Sequence, residues 1–194
     1  MFPDCELGRR KPLNADPLGG KRMTDPVKTH RLICRVPNDQ DSQLLHPILS
    51  DPKAMAWFGP ERVLSLEEAA QWVGVHESLR SVEGFAPWVV CLKETGAVVG
   101  WGGLSRDSRD ERPFNELIYI LDPPEWGRGL GTELARASLN YGFHALGLPE
   151  IETSVRPQNL QSVAILRKIG MTPARSETGR DWYRIKKSDY RTPD

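Results

Sequence analysis

The sequence predicts a single α/β domain built on a mixed, mostly antiparallel twisted sheet of about six to seven strands, flanked by about four helices. Three observations predict it. Short runs rich in Val, Ile, Leu and aromatic residues alternate with longer segments whose apolar residues recur at helical spacing. Two of these runs are separated only by Glu94-Thr95-Gly96, a tight-turn sequence that makes an antiparallel hairpin. A glycine-rich stretch, Trp126-Gly127-Arg128-Gly129-Leu130-Gly131, joins a strand-like run to a helix-like one.

The elements follow in order. Residues 1–26 carry Pro3, Pro12, Pro17, Gly19, Gly20 and Pro26 among few apolar side chains, and read as a flexible tail. Met23 within it reads as an alternative start of translation. The domain occupies residues 27–194. Its first strand is 31–36, stopped by Pro37. Asp39 or Asp41 caps a first helix that carries Leu44, Leu45, Ile48 and Leu49 on one broad face. Ser65 and Glu68 have capping-box spacing, and the helix they start runs through Ala69, Trp72, Val73 and Val75 toward Leu79.

Strands at 88–93 and 97–101 form the hairpin, and a charged loop with Arg106, Asp107, Arg109, Asp110, Glu111 and Arg112 faces water. A strand at 116–121 is ended by Pro123 and Pro124. Leu130, Leu134, Ala137 and Tyr141 keep helical spacing up to Gly147 and Pro149. A short strand at 151–155 follows. Asn159 then caps a last helix with Val163, Leu166 and Ile169 on one face and Gly170 at its C′ position. A strand at 181–185 closes the order β-α-α-β-β-β-α-β-α-β.

Composition narrows the function. The chain has 194 residues, 39% hydrophobic and 27% charged, with Lys+Arg and Asp+Glu equal at 26 each. A balanced charge argues against nucleic acid as the partner. No apolar run is long enough to span a membrane, and no secretory signal is seen, so a cytoplasmic location is expected. Cys5, Cys34 and Cys91 fit neither a disulfide framework nor a metal site, and Cys34 and Cys91 read as buried free thiols. His30, His46, His76 and His144 lack ligand spacing, so no metal is expected.

The glycine stretch carries the chemistry. A helix N-terminus offers backbone N–H groups and a partial positive charge, which suit a phosphate. Gly127, Gly129 and Gly131 allow close approach of the backbone, and Arg128 adds a cation. A plain strand–helix turn is the bland alternative. A Walker loop would need a lysine before Thr132, and a Rossmann fingerprint would follow the first strand rather than a late one.

The order of elements and two motifs together resemble the GCN5-related N-acetyltransferases, the GNAT family, from about Thr29 to Tyr190. The family's pyrophosphate loop, Gln/Arg-x-x-Gly-x-Gly/Ala, is matched by Trp126 to Gly131, with Trp126 in place of the first Gln/Arg. A leading Trp-Gly-x-Gly is the usual form in the branch that acetylates ribosomal-protein N-termini. Asn159-x-x-Ser162, followed by Gly170-Met171, resembles the family's Asn-x-x-Ser…Gly-Phe segment. Strand 31–36 and Asp51-Pro52 also resemble that branch.

The resemblance implies the GNAT fold and acetyl-CoA as co-substrate. The strands ending at Leu121 and Val155 would splay, and the pantetheine arm would pair with backbone near Ile120 and Leu121. The pyrophosphate would meet Gly127, Arg128, Gly129, Leu130, Gly131 and Thr132, with Asn159 and Ser162 beside the thiol.

An amine must lose a proton before it attacks a thioester, so a general base is expected. Glu116 matches the base glutamate of the histone-acetylating branch; the bland alternative is a solvated strand-end carboxylate. Ser162 is a candidate donor to the departing thiolate, although Asn159 and Ser162 also suffice as a helix cap. Tyr183, inside the closing strand, reads as core or sheet surface. Tyr119 lies with Leu117 and Leu121 on the face opposite Glu116, which makes it a weaker donor candidate. Trp57, Phe58, Gly59 and Pro60 form a loop that can line an acceptor pocket, while Trp72 reads as core.

Two functions follow from different classes. One is an N-acetyltransferase acting on a protein N-terminus or a small amine, as a monomer or homodimer. The other is a non-catalytic acyl-CoA-binding module. The glycines and Asn159 serve both; only Glu116 and Ser162 speak for catalysis.

Overall fold

The computed structural model describes residues 26–58, 62–107 and 113–191. Residues 1–25 of the expected tail, Cys5 and Met23 among them, and Gly59, Pro60 and the loop charges Arg109, Asp110, Glu111 and Arg112 lie outside the described residues. The strands are β1 (Val27–Lys28), β2 (Leu32–Arg35), β3 (Trp88–Leu92), β4 (Val98–Asp107), β5 (Phe114–Leu121), β6 (Glu150–Val155), β7 (Thr172–Glu177) and β8 (Arg180–Lys186). The helices are α1 (Asp41–Leu49), α2 (Pro52–Met55), α3 (Leu66–Glu83), α4 (Leu130–Asn140) and α5 (Leu160–Lys168).

The strands form one sheet in the order β1-β2-β3-β4-β5-β6-β8-β7. Every neighbouring pair is antiparallel except β5 with β6. Strand alternation sends β5 to two cores at once. Ile120 packs with Leu45, Leu49, Met55, Val73 and Trp101 under α1, α2 and α3. Leu117 and Leu121 pack on the opposite face under α4 and α5.

The described sheet exceeds the expected six to seven strands because β1 and β7 carry no apolar signal. β1 is two residues long, and β7 is mostly exposed and begins Thr172-Pro173. α2 is a single turn set by Asp51, whose Oδ1 accepts from Lys53 N at 2.7 Å and Ala54 N at 3.0 Å, with Pro52 in the first turn.

Local chemistry accounts for the longer helices. The Ser65–Glu68 capping box starts α3, and Gly84, at φ 81°, ends it. Neither Asp39 nor Asp41 caps α1. The cap position is Gln40, without a side-chain hydrogen bond. Asp41 is instead fully buried, accepting from Asn38 N at 2.6 Å and from both terminal nitrogens of Arg35 at 2.6 and 2.7 Å. Leu44 does not join the buried face of α1; it is about half exposed. α4 stops earlier than its periodicity suggests, passing into a π turn at Tyr141–Ala145. Gly142 sits there so close to the sheet that a Cβ would stand 2.6 Å from Leu104 Cδ1 and 2.8 Å from Ile151 Cδ1.

His76 of α3 lies edge-on to Trp72 and Trp101, with ring centroids 4.9 and 4.6 Å away. Burial pushes its pKa down to about 4, against a hydrogen bond to the Trp72 carbonyl, and the Arg80 charge adds to the fall. The unfolded chain therefore takes up the proton first as pH drops. The stability that the neutral ring contributes is complete above about 6.5 and is lost as pH falls toward about 4. Urea unfolding at pH 4.5 is expected to show a loss of roughly 2–3 kcal/mol relative to pH 7 from this residue. His76→Phe should flatten that part of the profile.

Candidate active site

β5 and β6 run parallel but pair at a single point, Glu116 with Glu152. Beyond it, toward Leu121 and Val155, no ladder joins them, and the sheet opens into a notch. The register of β5 with β4 decides which backbone groups face that notch. Asp122 N donates to Val99 O, so in the alternating antiparallel ladder Ile120 turns its N–H and C=O to Trp101 of β4. Tyr119 and Leu121 turn theirs toward β6. Trp126 returns over the strand end, and its Nε1 donates to the Leu121 carbonyl at 2.8 Å.

The glycine stretch follows a short 3-10 turn at Pro123–Glu125. Gly127 and Gly129 have φ of 74° and 81°. Gly129 is the cap position of α4 and supplies no side chain, so the helix starts without side-chain hydrogen bonds to its first N–H groups. Gly131 has ordinary dihedrals and serves packing: a Cβ there would stand 2.9 Å from Ile165 Cδ1 of α5. Arg128 is paired to Glu125 at 2.5 Å, so its charge is shared before any ligand arrives.

A latch that sequence reasoning did not identify holds this loop. Arg31 Nη1 donates to the Arg128 carbonyl at 2.7 Å, and its Nε donates to Glu133 at 2.7 Å. The same carboxylate accepts from Arg31 N at 2.7 Å and from Thr29 Oγ1 at 2.6 Å. Burial raises the Glu133 pKa, but the bonds from Thr29 and Arg31 outweigh it and the net shift is downward. With the Arg128 carbonyl drawn to Arg31, the loop keeps an acceptor away from its donor groups. The signal in the sequence was the charged pair Arg31 and Glu133, which distance along the chain conceals.

Asn159 caps α5, its Oδ1 accepting from Ser162 N at 3.1 Å. Ser162 thus sits at the start of the helix that follows β6, on the α4/α5 side of the sheet. Glu116 is half-buried and by alternation belongs to the face of Ile118 and Ile120, on the other side. The notch therefore has Glu116 on one face and Ser162 on the other. On the Glu116 side, Phe58, Trp72 and Trp101 form an aromatic cluster, with the Trp72 and Trp101 centroids 4.0 Å apart. Trp57 is partly exposed beside it in sequence, and Tyr183 is buried in the core. Among the described residues no group of His, Cys, Asp and Glu could hold a metal ion, and Cys34 and Cys91 are buried and free. No described helix is long and apolar enough to cross a membrane.

The arrangement fits coenzyme A: an uncapped helix start for the diphosphate, open space around Gly127, and strand backbone lining a notch. An acyltransferase of the acetyl-CoA-dependent class needs this combination of a diphosphate site and open strand backbone. The model of the GNAT acetyltransferase domain matches residues 31–172, and the chain belongs to that family. It is 28% identical to the uncharacterized N-acetyltransferase YoaA of Bacillus subtilis over 144 residues, 74% of this chain and 81% of that protein. Among solved structures it resembles the ribosomal L7/L12 α-N-protein acetyltransferase RimL bound to coenzyme A. That match has a TM-score of 0.69 at 18% identity, covering 84% of this chain and 98% of the other. It also resembles the spermidine N-acetyltransferase of Vibrio cholerae bound to CoA and spermine, with a TM-score of 0.67 at 20% identity, covering 84% and 99%.

Proposed function

We propose that the protein transfers the acetyl group of acetyl-CoA to a primary amine, either a protein N-terminus or a small amine, by direct attack in the notch between β5 and β6. The observation that carries this reading is the pair of faces around the notch: Glu116 on one side, the capped Ser162 on the other. The ammonium form of the acceptor gives one proton to Glu116, directly or through water. The neutral nitrogen then forms the N–C bond, the C–S bond breaks, and the nitrogen's second proton ends on the departing sulfur. Ser162 donates a hydrogen bond to the departing sulfur. The N–H groups from Gly127 to Thr132 hold the diphosphate, and backbone of Tyr119 and Leu121 lines the pantetheine path. Spermine and a ribosomal protein name the acceptors of two similar folds, which supports testing both amine classes.

The test is release of CoA thiol from acetyl-CoA with spermidine, spermine and peptides bearing free N-termini. Glu116→Gln is expected to lower thiol release with the active acceptor by about 100-fold, with CoA affinity by calorimetry unchanged. Tight CoA binding with no thiol release toward any acceptor would support the non-catalytic module instead. An unaltered rate in Glu116→Gln removes Glu116 from the base role.

A further inference from the structure

The sheet face that carries Glu116 continues across β6 and β8. Ile151 and Val155 belong to the core under α4 and α5, so alternation puts Glu152 and Ser154 on the Glu116 face. Lys187 N donates to Pro149 O, in step with the register of β6 and β8. In that alternating ladder Ile151, Thr153 and Val155 turn their backbone groups to β8, and Ser154 turns its carbonyl toward β5. Ser154 lies two residues past the point where β5 and β6 part, so this carbonyl faces the notch.

Arg180, at the start of β8, reaches that place. Its Nε donates to Ser154 Oγ at 3.0 Å and its Nη2 to Ser154 O at 3.4 Å. The second bond brings the guanidinium round Ser154 to the notch side. Both acceptors are neutral. Its neighbours on this face are answered by carboxylates: Arg175 by Glu152 at 2.7 Å and Glu177 at 3.0 Å, Arg184 by Glu150 at 3.5 Å. Glu177 stands opposite Arg180 in the β7–β8 pair, but its carboxylate goes to Arg175. Among the described residues Arg180 Nη1 bonds to nothing, and the side chain is half-buried. An arginine held in this way keeps its charge unanswered and its fork fixed in one direction.

We infer that Arg180 is a specificity-determining residue: it binds a carboxylate of the acceptor, so the protein acts on amines that carry a carboxylate near the reacting nitrogen. The inference rests on the acetyl-transfer reading above. Glu116 on the β5 bank and Arg180 on the β6 bank give the notch opposite charges. That suits a zwitterion, with its ammonium toward Glu116 and its carboxylate toward Arg180. A polyamine brings only cations to the same place and meets Arg180 as a like charge. Two residues of strand, about 7 Å, separate the levels of Glu116 and Ser154, a gap that two long side chains and a short zwitterion close.

Release of CoA thiol is measured with two matched pairs of acceptors and with spermidine. Alanine against alaninamide tests an α-carboxylate; alanylglutamyl amide against alanylglutaminyl amide tests an acidic side chain beside a peptide N-terminus. In the unaltered protein the carboxylate member of one pair is expected to have a kcat/KM about tenfold or more above its neutral mate. In Arg180→Met that ratio should fall to about one, and Arg180→Lys should keep an intermediate ratio. A general loss of activity or folding cancels from the ratio, since both members meet the same enzyme. A ratio near one in both pairs, a preference that survives in Arg180→Met, or turnover confined to spermidine overturns the inference and leaves the acetyl-transfer reading standing. No thiol release toward any acceptor, with CoA bound by calorimetry, overturns both.

Discussion

Gly129→Val is expected to weaken CoA binding about 100-fold, because a β-branched residue is a severe outlier at a left-handed cap. Gly129 holds φ 81° at the cap of α4, directly before the N–H groups proposed to hold the diphosphate. Relaxing that strain rotates the peptide units on both sides, and the donors lose their common direction. Space is not the main obstacle: the nearest heavy atom to an added Cβ is Arg31 Nη2 at 3.5 Å. Gly129→Asn separates the two causes. Asparagine tolerates this conformation, so it should lose less than about tenfold. Calorimetry with CoA on both variants checks the ranking, and equal losses would mean that bulk rather than backbone angle matters.

Arg35→Met is expected to cost about 3–5 kcal/mol of folding stability, the usual result of removing one partner of a buried ion pair. Asp41 is fully buried, and Arg35 supplies both nitrogens of its fork to the two carboxylate oxygens. Without Arg35, the carboxylate retains the Asn38 N–H at 2.6 Å. One neutral donor does not replace a bidentate cation. The double variant Arg35→Met with Asp41→Leu should recover much of the loss, because nothing charged then remains buried. Chemical denaturation of the three proteins gives the comparison; a double variant as unstable as Arg35→Met would show that the pair shapes the turn before α1 rather than balancing charge.

The same residue shows what the sequence left unread. An aspartate ahead of an apolar helical pattern looks like a cap, and spacing alone cannot distinguish a cap from a buried partner of the preceding strand. The apolar periods of α3, β3, β5 and α5 were legible because their packing partners are apolar. β7 was not, since Thr172, Pro173, Ala174, Glu177 and their neighbours are mostly exposed and held by backbone pairing to β8. In the site, the glycine stretch and Asn159 were legible because each has a local backbone task. Alternation places Tyr119 on its face of β5, but the side chains it packs against come from other elements, and only the folded chain brings them together.

The latch on the glycine loop also bears on how the site comes into being. Arg31 N and Glu133 are separated by 102 positions, so the loop gets its support only when distant parts of the chain have met. Closing a span of that length costs more chain entropy than closing a helix turn or a hairpin. A chain in which this contact is unmade is therefore expected to hold the glycine loop less firmly. A change that loosens the meeting of Arg31 with Glu133 should then lower CoA affinity although it lies outside the loop.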